Sequence, residues 1–317
     1  MKNLTGGIYM KKDNNFLSND GKAMIHYTMW YPQNNIKAIV QLTHGMTEYI
    51  GNYDEFAEFL CENDLFVIGH DQLGHGHSVE NSEELGYFRN KNSVDILVED
   101  MHTLMKKAKS QYENVPYFLF GHSFGSFLSR IFAGTYGNEL NGLILTGTGN
   151  ADIKKIKHAL KLIRAMRITK KADYRSKMVL KTLFTSYSQR IENPKNMHEW
   201  MCRDEKSIED YLNNPLNNYV YTLNGFSTLL YAVLKMQEER VFEDTPEKLP
   251  ILMMSGSEDP VGNYGEKVLE VCNLYKEHKV KDVTLKIYKG ARHNILMEIN
   301  KKEVMKDCME WIIKKLD

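Results

Sequence analysis

Gly121-His122-Ser123-Phe124-Gly125 follows the apolar run at 117–120 and precedes a stretch of helical character at 126–136. A serine in that setting can attack a carbonyl carbon. On a sharp strand-to-helix turn its hydroxyl stands clear of the sheet, and flanking glycines keep side chains out of a crowded backbone. The helix N-terminus then presents N–H groups to the developing anion. Ser123 is the candidate nucleophile, with Gly121, His122 and Gly125 supporting the turn.

A serine hydroxyl is a weak nucleophile until a base takes its proton, and the base must itself be held in one tautomer. After a turn of this kind the acid and then the histidine follow along the chain. Four histidines follow Ser123: His158, His198, His278 and His293. The first two fall where strand–helix alternation breaks down, and His278 sits among Lys276, Glu277 and Lys279. His293, in Gly290-Ala291-Arg292-His293-Asn294 directly after the last strand-like run, is the candidate base. The acid is expected after the preceding strand, where Asp259 and Glu258 stand together. Asp259 precedes Pro260, which excludes it from helical backbone and fixes it on a turn; Glu258 is the second choice. Asp71 also follows a strand, but it precedes the serine and its glycine-rich neighbours suit a turn-stabilising role.

An oxyanion needs two N–H donors. The expected pair is Phe124, next to the nucleophile, and Met46, in the loop His44-Gly45-Met46 after an early strand. Gly45 lets that backbone approach closely, and His44 braces the loop. No carboxylate or cysteine cluster accompanies His44, and His70, His75 and His77 lack metal-ligand spacing, so no metal is expected.

The elements that must position these groups alternate. Strands are expected at 24–31, 38–42, 65–68, 117–120, 143–145, 251–254 and 283–288, with helices at 53–61, 94–108, 126–136, 266–276 and 302–315. Such repeats imply a mostly parallel sheet covered on both faces, with ligands bound at the strands' C-terminal ends. Residues 150–245 read as helices and loops without strand. The expected organisation is an α/β core from 1–149 and 246–317, with a helical cap inserted at 150–245.

With 42% hydrophobic residues the chain can bury a substantial core, and its formal charge of zero argues against a general nucleic-acid binder. Locally the balance breaks: residues 151–181 carry eleven Lys/Arg against Asp152 and Asp173. Apolar Ile153, Ile156, Leu160 and Ile163 recur there at helical spacing. The helix expected at 151–171 would pack an apolar face over the site, and its basic face suits transient contact with a lipid surface or micelle. Four scattered cysteines predict no disulfide, the start at 1–7 offers no apolar leader, and no run is long enough to span a membrane. A reduced, cytoplasmic protein is the expectation.

Taken together, His44-Gly45-Met46-Thr47-Glu48-Tyr49 with Tyr53, His70-Asp71-Gln72-Leu73-Gly74-His75-Gly76-His77-Ser78, the elbow through Ser126, Gly256-Ser257-Glu258-Asp259-Pro260-Val261 and Gly290-Ala291-Arg292-His293 resemble the monoacylglycerol lipase/lysophospholipase branch of the α/β-hydrolases, the serine aminopeptidase-like S33 group. The resemblance implies an eight-stranded sheet with the cap after strand 6, a Ser123–Asp259–His293 triad, Met46 and Phe124 as oxyanion donors, and no cofactor. It implies hydrolysis of small-molecule acyl esters, commonly of single-acyl lipids. Phe124 and Ser126 replace the Met and Gly common there, and the cap matches only around 200–215. A carboxylesterase for short or aromatic esters is the alternative, followed by a peptidase, an acyltransferase or a non-catalytic ligand-binding relative.

Overall fold

The computed structural model describes residues 9–89 and 93–316; the start at 1–7 considered above falls outside the described residues. The strands are β1 (Tyr9–Leu17), β2 (Met24–Pro32), β3 (Ala38–Thr43), β4 (Leu65–His70), β5 (Tyr117–His122), β6 (Gly142–Thr146), β7 (Ile251–Gly256) and β8 (Val283–Tyr288). They form one eight-stranded sheet in the order β1-β2-β4-β3-β5-β6-β7-β8. β2 runs antiparallel to β1 and β4; all other pairings are parallel.

Alternation along the central strands feeds two cores, because successive side chains leave a strand on opposite faces. Val40, Leu42, Phe118 and Phe120 pack with α1 (Asp54–Cys61) and the terminal helix, while Ile39, Tyr117 and Leu119 pack with α2 (Ser93–Lys109) and α3 (Phe124–Tyr136). Both faces are therefore closed, and the strand ends remain as the open edge where loops collect. Between β6 and β7 the chain forms α4 (Ile153–Met166), α5 (Lys177–Phe184), α6 (Glu205–Asn213), α7 (Leu223–Lys235) and α8 (Glu239–Glu243). α9 (Glu266–Glu277) separates β7 from β8, and α10 (Lys301–Lys314) closes the fold.

β1 is the strand that hydropathy does not reveal. Its sequence, Tyr-Met-Lys-Lys-Asp-Asn-Asn-Phe-Leu, buries only Phe16, yet it pairs with β2 along its full length from Tyr9↔Pro32 to Leu17↔Met24. An edge strand is held by backbone ladder bonds and needs no apolar alternation. The hairpin turn supplies the missing signal: Asp20 Oδ1 accepts the Lys22 and Ala23 N–H groups, and Gly21 takes φ +75°.

The α4 stripe is shorter than its spacing suggests. Ala159, Leu160 and Ile163 are buried and Ile156 half-buried, but Ile153 is 45% exposed. Ile153 is the first helical residue, where Asp152 caps the Lys154 and Lys155 N–H groups, so it overhangs the surface that the next turns cover.

Candidate active site

β5 ends at His122, and Ser123 occupies the turn into α3 with φ 51° and ψ −120°. A side chain at positive φ is strained, and it persists only where surrounding contacts over-determine it. Here Ser123 N–H donates to Thr146 O at 2.9 Å while Ser123 O accepts from the N–H groups of Ser126 and Phe127. The turn has no room for side chains. A Cβ on Gly121 would lie 2.4 Å from Ser129 Oγ, and one on Gly125 only 2.1 Å from Thr43 O.

The structure brings Ser123, His293 and Asp259 together from loops far apart in sequence. Ser123 Oγ lies 2.9 Å from His293 Nε2, and His293 Nδ1 lies 3.0 Å from Asp259 Oδ1. Asp259 is fully buried, and its Oδ1 also accepts the Val261 N–H at 2.9 Å. With a proton on Nδ1, His293 presents a bare Nε2 to the serine hydroxyl. Glu258 is exposed and its backbone N–H bonds to Ala291 O, which leaves it outside this relay. Asp71 accepts the N–H groups of Ile50 and His77, both at 2.7 Å, and faces His26. It staples the loops after β3 and β4, as its glycine-rich setting suggests. His158 is exposed on α4, His198 packs near Tyr211 and His278 near Phe242.

The loop 44–48 lies against the elbow. A Cβ on Gly45 would come 3.2 Å from both Ser123 Cβ and His122 Cδ2. Fully buried His44 uses both ring nitrogens: Nδ1 donates to Gly45 O at 2.8 Å and Nε2 accepts the Gln72 N–H at 2.9 Å. The insertion grips the same loop, since Asn217 Nδ2 donates to Thr47 O at 2.9 Å.

The insertion also grips the base loop, a contact the sequence reading missed. Asn294 N–H donates to Met201 O at 2.6 Å, and the Trp200 ring lies 4.9 Å from the His293 ring. Fully buried Glu298 accepts Arg203 Nε at 2.7 Å and the Arg292 N–H at 2.8 Å. Arg203 stands in the part of the insertion where the motifs matched, the one sequence signal for this clamp. Among the described residues, no group of three or more His, Cys, Asp or Glu is placed to hold a metal ion.

Several histidines around the site are held neutral. Burial pushes His70 and His75 down to about 3 and His122 to about 4, and it lowers His44 as well. The unfolded chain binds protons on these groups near the ordinary histidine value of about 6.5, while the folded chain refuses them until far lower pH. Their contribution to stability is complete above that value and is lost as pH falls toward 4 and 3. His26 works oppositely: burial opposes its charge, but Asp71 and Asp13 raise it overall, so its contribution is full at low pH and lost above its raised value. With His198, which burial also lowers, five lowered histidines outweigh one raised. Thermal unfolding midpoints are expected to hold between about pH 8 and 7 and to fall steadily from about pH 6 to 4; a flat profile down to pH 4 contradicts this.

A profile of the family described as serine aminopeptidase, S33, matches residues 34–300. A monoglyceride lipase homolog of monkeypox virus is 28% identical over 306 residues, covering 95% of this chain and 99% of that protein. The monoglyceride lipase of Rattus norvegicus is 25% identical, with 89% and 84% covered. The crystal structure of a thermostable carboxyl esterase from Bacillus coagulans, in complex with glycerol, superposes with a TM-score of 0.88 at 30% identity, over 97% of this chain and 99% of that one. With the eight-stranded sheet, the elbow and the family profile in agreement, the chain belongs to the serine aminopeptidase S33 family of α/β-hydrolases.

Proposed function

We propose that this serine ester hydrolase cleaves single-acyl lipid esters, monoacylglycerol or lysophospholipid, through Ser123, His293 and Asp259. The observation that carries the reading is the unbroken hydrogen-bond relay from Asp259 through His293 to the strained Ser123. Ser123 Oγ attacks the ester carbonyl carbon while His293 Nε2 takes its proton. Asp259 keeps the imidazole in the required tautomer and stabilises its cation. The N–H groups of Met46 and Phe124 receive the oxyanion, interactions worth about 10²–10³ each in turnover. His293 then protonates the leaving alcohol, and a water molecule, deprotonated by the same imidazole, releases the acid from the acyl-enzyme.

The insertion, read as a cap over residues 150–245, supports a lipid substrate. α4 and the chain after it expose Lys154, Lys155, Lys157, Lys161, Arg164 and Arg167 beside Ile153 at 45%, Ile168 at 83% and Met178 at 51% exposure. Cations interleaved with exposed apolar groups suit an anionic lipid surface. No described helix is long and apolar enough to cross a membrane, so this contact would be peripheral. The likeness to a carboxyl esterase keeps the short-ester reading as the competitor.

The test is kcat/KM for a long-chain monoacylglycerol, in anionic and in zwitterionic vesicles, against a short-chain p-nitrophenyl ester. Each buried methylene is worth about 0.8 kcal/mol, so a pocket for long acyl chains gives a preference of orders of magnitude, larger on anionic vesicles. Faster turnover of the short ester, with little on lipid, assigns the enzyme to small esters instead.

A further inference from the structure

Glu48 and Tyr53 have no part in the proton relay, yet both are buried behind it. A carboxylate taken out of water must be compensated by hydrogen bonds, and the partners of Glu48 come from several separate segments of the site. Its Oε2 accepts the Gly45 N–H at 2.7 Å and the Tyr53 hydroxyl at 2.6 Å. Its Oε1 accepts Asn294 Nδ2 at 2.8 Å, across 246 residues of sequence. His122 Nε2 lies 3.8 Å from the same oxygen. The side chain therefore touches the residue before Met46, the residue before Ser123 and the residue after His293.

We propose that Glu48 is a positioning residue which fixes the oxyanion loop, the elbow and the base loop in one geometry through a single buried carboxylate. The proposal rests on the triad reading above. Asn294 is the directional partner: its Oδ1 accepts the Leu296 N–H at 3.2 Å, so its amide nitrogen faces Glu48. Catalysis of this kind is sensitive to placement, and an error of about 1 Å can cost about 10²-fold. The effect belongs in kcat, because the groups Glu48 aligns act as charge develops and do not grip the resting substrate.

The test exploits the polarity of the Glu48–Asn294 bond. In Glu48→Gln the amide oxygen can keep Gly45 and Tyr53, but the amide NH2 then faces the NH2 of Asn294, two donors without an acceptor. In Asn294→Asp two carboxylates face each other. In the double variant the glutamine NH2 donates to the aspartate, and the aspartate still accepts from Leu296. Hydrolysis of a soluble p-nitrophenyl ester is measured for wild type, Ser123→Ala, both single variants and the double variant, with thermal midpoints recorded for each. Expected is a kcat about 10- to 100-fold down in each single variant, KM within about threefold, and recovery of most of that loss in the double variant. The double variant keeps the test decisive if one single variant folds poorly. A wild type no faster than Ser123→Ala removes the triad reading and this proposal with it. An active wild type whose Glu48→Gln form keeps its kcat within about threefold, or whose double variant recovers stability without kcat, overturns the positioning role alone.

Discussion

Replacing Ser123 by alanine is expected to lower kcat by about 10⁴-fold or more while leaving KM nearly unchanged. The hydroxyl is the only atom lost. The fold keeps its elbow, because the bonds that hold the turn run through the Ser123 backbone to Thr146, Ser126 and Phe127. Alanine meets the same positive φ of 51° at no greater strain than serine. What disappears is the proposed acceptor of the acyl group, so His293 and the proposed oxyanion donors are left to act on water alone. Adding His293→Ala to Ser123→Ala is expected to cost little more, since the two act as one unit. The measurement is kcat on the preferred ester with matched far-UV circular dichroism. Residual turnover within about tenfold of wild type would require a nucleophile other than Ser123.

The arrangement of Ser123, His293 and Asp259 also separates what local sequence pattern can express from what it cannot. β5, the elbow and α3 are legible because the apolar run at 117–120, the paired glycines and the helical spacing all describe the same turn. Asp259 and His293 are legible because chain order and strand endings restrict the choice. That Ser123 and His293 meet across 170 residues at 2.9 Å is a property of parallel strands ending on one edge, which local pattern cannot show. β1 escapes notice because its middle, residues 11–15, is polar and the strand is held largely by backbone pairing. Glu48 escapes because its long-range partner, Asn294, lies 246 residues away in another loop; from sequence it is one more glutamate in a matched motif. The insertion is legible as helical but not as a clamp, since the bonds from Met201 and Arg203 to the base loop are tertiary. The hidden features depend on cross-strand or tertiary pairing, and the visible ones on local periodicity, turn chemistry and chain order.

Gly125→Ala tests the steric side of the elbow, and it should be among the most damaging single-methyl additions in the molecule. The added Cβ would stand 2.1 Å from Thr43 O, 2.6 Å from Thr43 C and 2.6 Å from His44 O. All three are backbone atoms at the end of β3, so no rotamer change relieves the clash. Either α3 moves away from the sheet or the loop carrying His44, Gly45 and Met46 moves away from Ser123. An overpacked core costs up to about 3 kcal/mol, and here the yielding element is the one that carries Met46, the proposed oxyanion donor. We therefore expect a lower thermal midpoint together with a kcat loss of about 10²-fold or more. Gly21→Ala is the control, because its Cβ meets nothing within 4 Å and only the backbone at φ +75° resists it. That substitution should cost about 1–2 kcal/mol and leave kcat alone. If Gly125→Ala matched Gly21→Ala in both stability and turnover, the β3 loop would be yielding freely, and the tight contact between elbow and loop would have no part in holding the proposed oxyanion donors.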